Sequence, residues 1–128
     1  MTKEQREKVW LKYDYRCAYC GKTIEYKNMQ VDHIFPKTLK HYLNSPRMKE
    51  LFGVVCVNID DFDNLNPACR RCNHYKRSET LEGFRTLLST LHRRIEKQYI
   101  NKVGIDYGII KIAPFDGKFY FEKCKEMK

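Results

Sequence analysis

The chain has 128 residues, of which 42% are hydrophobic and 13% aromatic, a globular composition at the size of one domain. No apolar run approaches the ~20 residues needed to cross a bilayer, which excludes a membrane span. Lys and Arg outnumber Asp and Glu by 25 to 16, a formal +9 that favours a polyanionic partner.

The N-terminus, MTKEQREKVW, opens charged and lacks the apolar stretch and cleavage site of a secretory signal, so a cytoplasmic setting is expected. Thr2 followed by Gln5 reads as a capping box, and Val9, Trp10 and Tyr13 recur at helical spacing, so an amphipathic helix is predicted over Lys3 to Tyr13. Cys20-Gly21 offers a tight turn, since glycine tolerates the positive φ that metal knuckles commonly need. Asn28 to Phe35 is predicted as a strand closed by Pro36.

Lys37 to Asp63 reads as an insertion. Leu39, Tyr42 and Leu43 fit one helical turn or two, and Pro46 fits the first position of a helix over Arg47 to Phe52 that Gly53 would stop. Val54 to Ile59 is buried strand or connector. Asn64 to Pro67 returns as a short strand or turn, and a helix is predicted from near Cys69 through Lys76. After a cap at Ser78 or Thr80 comes the longest predicted helix, ending at Gly104. Its apolar stripe of Leu81, Phe84, Leu87, Leu88, Leu91, Ile95 and Tyr99 lies opposite Arg85, Arg93, Arg94 and Lys97. Ile109 to Ala113 and Lys118 to Glu122 flank Asp116-Gly117, a two-residue hairpin signal.

Four of the cysteines stand out by spacing. Without a secretory signal, C-x2-C pairs read as metal ligands rather than disulfides. Cys17-x2-Cys20 and Cys69-x2-Cys72 have 48 residues between them, and each pair presents two thiolates as one corner of a tetrahedral zinc site. Zinc bound by four thiolates lowers the formal charge to about +7, still strongly basic. Cys56 and Cys124 lack a close partner and read as small buried hydrophobes.

A zinc ion with four thiolates has no position left for water, so it holds structure but activates no nucleophile. Catalysis needs other groups, and Asp32, His33, Asn64 and Asn73 sit where the zinc site would gather them. Asp carboxylate and Asn carbonyl are hard oxygen ligands suited to magnesium or manganese, and His33 beside them is able to take a proton from water.

The order C-x2-C-G, D-H-I-x-P and D-N-L-x-P-x-C-x2-C-N-x2-K, found between Arg16 and Arg85, resembles the HNH endonucleases, particularly compact phage-type members with four zinc cysteines. The resemblance implies an α+β fold with a ββα-metal core, a hairpin and a helix enclosing one catalytic cation, beside a structural zinc site. Around that core come an N-terminal helix, a long C-terminal helix and a terminal β-hairpin. One domain over residues 1–128 is expected, the core module near 16–85 and the C-terminal helix and hairpin near 79–124. The family's Gly-rich turn after D-H-I-x-P is replaced here by the 37–63 insertion.

Carried over by position, the resemblance implies His33 as general base and Asp32 and Asn73 as ligands of a catalytic magnesium or manganese ion. His74, next to Asn73, stays open as the alternative ligand. Asn64 takes the position that supports the loop and the orientation of the base, and Lys76 closes the motif where a phosphate contact fits. Lys37, Arg70, Arg71 and Arg77 are also placed to meet the phosphates of DNA. The implied reaction is hydrolysis of DNA phosphodiester bonds, leaving 5′-phosphate and 3′-hydroxyl ends. The alternative is a zinc-stabilised nucleic-acid-binding module without catalytic activity, which needs no Asp32-His33 pair.

Overall fold

The computed structural model describes residues 1–42, 45–47, 50 and 58–126. Helix α1 (Lys3–Leu11) begins at the expected capping box: Gln5 N donates to Thr2 Oγ1, and Thr2 N donates to Gln5 Oε1. It buries Val9 completely. Trp10 Nε1 donates to Ile24 O at 2.8 Å, and Lys12 Nζ, just past the helix, donates to Leu65 O at 2.7 Å. Side chains therefore tie α1 to the segment after the first cysteine pair and to the second strand.

A 3-10 turn at Tyr26–Asn28 leads into β1 (Gln30–His33), which pairs antiparallel with β2 (Leu65–Ala68). Gln30 stands opposite Ala68, Asp32 opposite Asn66 and His33 opposite Leu65. The strand is shorter than Asn28 to Phe35 because Ile34 and Phe35 turn away onto Asn64: Ile34 N donates to its main-chain carbonyl and Phe35 N to its side-chain Oδ1. Cys69 ends β2 as the N-cap of α2 (Arg70–Lys76), its Sγ accepting from Cys72 N at 3.3 Å. Helix α2 stops at Arg77, whose φ of 54° breaks the helical path.

The mixture of helices with a two-stranded antiparallel sheet is α+β. By contacts the chain forms two compact units, one of Met1–Leu81 joined by the stretch from Phe119 onward, the other of Glu82–Lys118. Among the described residues no helix is long and apolar enough to cross a membrane. Most of the expected helix over Arg47 to Phe52, all but Arg47 and Glu50, together with its stop at Gly53, most of Val54 to Ile59, and Cys56 lie outside the described residues.

Two expectations are corrected. The long C-terminal helix is three helices, α3 (Leu81–Ser89), α4 (Leu91–Glu96) and α5 (Tyr99–Asp106). Hydroxyls compete for the carbonyls at the first break: Ser89 Oγ donates to Arg85 O at 2.8 Å, and Thr90 Oγ1 donates to Leu87 O at 3.3 Å. Such back-bonding bends helices. At the second break Gln98 is extended, with Asn101 Nδ2 donating to Ile95 O. Tyr99, assigned to the apolar stripe, is 83% exposed as a result. Gly104 does not end the helix; the positive φ falls at Gly108, and Gly104 instead makes room for Ile110, 3.0 Å from where a Cβ would stand.

The terminal hairpin does not form either. The Asp116-Gly117 turn exists, with Lys118 N donating to Asp116 Oδ1 and Gly117 at φ 89°. Its far arm, however, becomes α6 (Tyr120–Glu126), because the amides a hairpin would need are used elsewhere. Phe119 N donates to Glu122 Oε1, Tyr120 N to Tyr19 O and Phe121 N to Ala18 O. Phe119 and Phe121 fill the core beside the first cysteine pair, where the Phe119 ring meets Tyr19 edge-on with centroids 5.4 Å apart. Burying each Phe contributes about 1.5–3 kcal/mol.

Candidate metal centre and active site

The first knuckle forms as its glycine predicts. Gly21 has φ 80°, its N–H donates to Cys17 O at 2.9 Å, and a Cβ there would lie 2.9 Å from Tyr120 Cδ1. Cys17 N donates to Lys22 O, and Ala18 N to Pro67 O at 2.8 Å, which fastens the knuckle to β2. The second knuckle is the start of α2. Together they bring the ligand atoms of Cys17, Cys20, Cys69 and Cys72 within 4.8 Å of one another, with Cys20 and Cys69 Sγ 3.9 Å apart. Zinc–sulfur bonds of ~2.3 Å at tetrahedral angles require sulfurs roughly 3.8 Å apart, so this set fits zinc.

The charges of the sulfurs point the same way. Hydrogen bonds from Cys17 and then Cys72 hold the Cys20 thiol down at about 2, while the Cys17 thiol, bonded to Cys20, is pushed up to about 11 and Cys72 is raised as well. Four thiolates this close repel one another, and a bound cation offsets that repulsion. Cys124, expected to be buried, is half-buried.

Successive strand residues face opposite ways, and this separates Asp32 from His33. Asp32, 5% exposed, points toward α2. Tyr19 OH donates to its Oδ2, Lys76 Nζ lies 3.1 Å from Oδ2, and Lys76 also donates to His33 O at 3.0 Å. Burial pushes the Asp32 carboxyl above its usual range, and the Lys76 charge and Tyr19 hydroxyl pull it back. Asn66 Nδ2 reaches Tyr19 OH at 3.5 Å, while Asn66 Oδ1 is buried with no partner among the described residues.

Lys76 corrects the expectation of a phosphate contact. Its side chain is fully buried, so it meets no phosphate; it is the counter-ion of Asp32. Asn73, on the same side of the sheet, donates from Nδ2 to Gln30 Oε1. A divalent cation does not fit between Asp32 and Asn73 in this arrangement, because an ammonium already occupies the desolvated carboxylate and repels a second cation. His74, the alternative ligand, is exposed.

His33 faces the other way, into a groove it shares with Lys8, Lys37, Asp60 and Phe62. Its Nε2 lies 2.9 Å from Asp60 Oδ1. Asn64, the residue expected to support the loop, is buried, and its side chain makes three bonds: Oδ1 accepts from Phe35 N at 2.8 Å, and Nδ2 donates to Ile59 O at 2.8 Å and Phe35 O at 3.2 Å.

A second, more basic groove is lined by Lys22, Lys27, Arg70, Arg71, Asn73 and His74, with Glu25 as its acidic residue. Arg6 and Val31 border both grooves. Arg6 is partly engaged, with its guanidinium donating to Tyr26 O and Met29 O. Lys37, Arg70, Arg71 and Arg77 are all exposed.

Reading the sequence alone missed Asp60, Tyr19, Lys22 and Lys27. The acidic run Asp60-Asp61-Phe62-Asp63 just before Asn64 was the available signal for Asp60. Comparison with family models, with curated proteins and with solved structures found no match.

Proposed function

We propose that the chain is a metal-dependent endonuclease of the HNH kind that hydrolyses DNA phosphodiester bonds, with His33 as general base. The observation that carries this reading is the succession β1, β2, α2, with Asp32-His33 closing β1, Asn64 at the entrance of β2, Asn73 in α2 and a four-cysteine cluster joining the ends.

In this reaction His33 takes a proton from a water molecule, whose oxygen forms the new bond to phosphorus. The bond from phosphorus to the 3′ oxygen breaks, leaving a 5′-phosphate and a 3′-hydroxyl that takes its proton from solvent. Arg70, Arg71, Lys37 and Arg77 bind backbone phosphates, which positions the duplex without reading its sequence. Asn64 acts indirectly, through the loop it holds. A magnesium or manganese ion belongs to the proposal and would stabilise phosphate charge when bound; Asp32 and Asn73 do not hold it as they stand, because Lys76 already answers the Asp32 charge.

The Asp32–Lys76 ion pair favours a second reading, a zinc-stabilised nucleic-acid-binding module without catalysis. There the ammonium satisfies the carboxylate permanently and no second cation is needed. Supercoiled plasmid incubated with the purified chain, with and without added magnesium or manganese and beside His33→Ala, separates the two. The nuclease reading expects metal-dependent nicking by the parent and none by the variant, with equal duplex binding at low salt. Binding without nicking by the parent selects the binding module, and nicking by His33→Ala at the parental rate removes His33 as base.

A further inference from the structure

The carboxylate that addresses the imidazole of His33 is not its neighbour Asp32 but Asp60, 27 residues further along the chain. An exposed ion pair usually contributes little, because solvent competes and two side chains must be held still. Asp60 is 67% exposed, yet its position is fixed by the loop that carries it. Asp60 N donates to Asn58 Oδ1 and Asn58 N to Asp61 Oδ2, both at 2.9 Å, while Asp61 N closes back on Asn58 O at 3.0 Å. Asn64 N donates to Asp61 O, and the Asn64 side chain grips Ile59 O on one side and Phe35 on the other. The loop before β2 is thereby pinned to the end of β1, two residues from His33.

We propose that Asp60 is a positioning residue for His33, its carboxylate accepting the Nε2 proton so that the neutral ring carries its lone pair on Nδ1. The inference rests on the nuclease reading and sharpens it, because it names Nδ1 as the atom that receives the proton of water. A carboxylate is an acceptor only, so the nitrogen facing it must hold the hydrogen. The hydrogen bond from His33 is the largest cause that holds the Asp60 carboxyl below its usual range, which keeps it in the accepting form. Asn64 then has a defined role, presenting Asp60 to the base.

Kinetics on supercoiled plasmid with Asp60→Ala and Asp60→Asn, together with nitrogen-15 spectra of the histidine side chains, test the proposal. Asp60→Ala is expected to lower kcat about 10- to 100-fold with KM unchanged, the range known for partners that orient metal-bound histidines. Asp60→Asn keeps an acceptor oxygen and is expected to retain more of kcat than Asp60→Ala. Parental kcat in Asp60→Ala, or a change in KM alone, overturns the role. If the parent chain does not nick, the nuclease reading has failed and the spectra still decide the geometry. A hydrogen-bonded Nε2 proton on His33 in the parent, lost in Asp60→Ala, supports the pair, and its absence from the parent overturns it.

Discussion

Asp32 and Asp60 both belong to the surroundings of His33, and the fold treats them in opposite ways. Asp32 lies in the core, shared between Lys76 and Tyr19, where its charge is answered by another buried charge. Asp60 stands in solvent at the rim of a groove and answers the imidazole. Adjacency in sequence thus separates groups across a strand, while a clamped loop joins groups far apart. The face of β1 toward α2 is buried, and the opposite face borders a groove.

The largest expected effect strikes the closed side. Cys69→Ser removes both a sulfur and the cap of α2; structural zinc supplies roughly 10–16 kcal/mol of folding free energy in small zinc domains, so the variant is expected to lose zinc and its cooperative melt. A folded, zinc-free Cys69→Ser chain with a parental melting curve would break the contrast. Next comes Lys76→Met, which strands a buried carboxylate and is expected to destabilise by about 3–5 kcal/mol in denaturant titration. Adding Asp32→Asn should recover much of that loss. If Lys76→Met instead leaves stability intact and weakens DNA binding, Lys76 belongs to the open side after all.

Gly21→Ala is smaller. It forces a side chain into a left-handed turn and against Tyr120, and about 1–3 kcal/mol of stability should go. Trimming Tyr120 to Ala should relieve the clash but leave the turn strained. Smallest for folding are the exposed arginines of α2: Arg70→Ala and Arg71→Ala are expected to leave the melting curve in place. Each should lower the salt slope of duplex binding by about 1. A slope unchanged by both would remove α2 from the DNA contact surface.

Much of the molecule could be read locally. The capping box at Thr2, the turn at Gly21 and the start of α2 at Cys69 depend on neighbours within a few residues, and they stand as expected; the two cysteine pairs meet across 48 residues, legible because each C-x2-C spacing is itself a local signal. The same holds for the Asp116-Gly117 turn. The helix beyond that turn was hidden, because the amides of Tyr120 and Phe121 are claimed by the carbonyls of Tyr19 and Ala18, near the other end of the chain. Lys76 was misread because lysine is almost never fully buried unless paired, and its partner lies 44 residues away on another element. Asp60 was concealed by the insertion that separates it from His33. The first break in the long helix rests on hydroxyls of Ser89 and Thr90 and the second on Gln98 and Asn101, none of which disturbs the apolar periodicity.

The unit that carries the four cysteines is assembled from Met1–Leu81 and the stretch from Phe119 onward, which Glu82–Lys118 separates in sequence. During synthesis the cysteines are therefore all outside the ribosome well before Phe119 and Phe121 arrive to seal the core beside Cys17 and Cys20. In that interval the nascent protein holds four reactive thiols without the aromatic lid that belongs over them. A zinc ion bound at that stage would neutralise the four thiolates before their aromatic cover is in place.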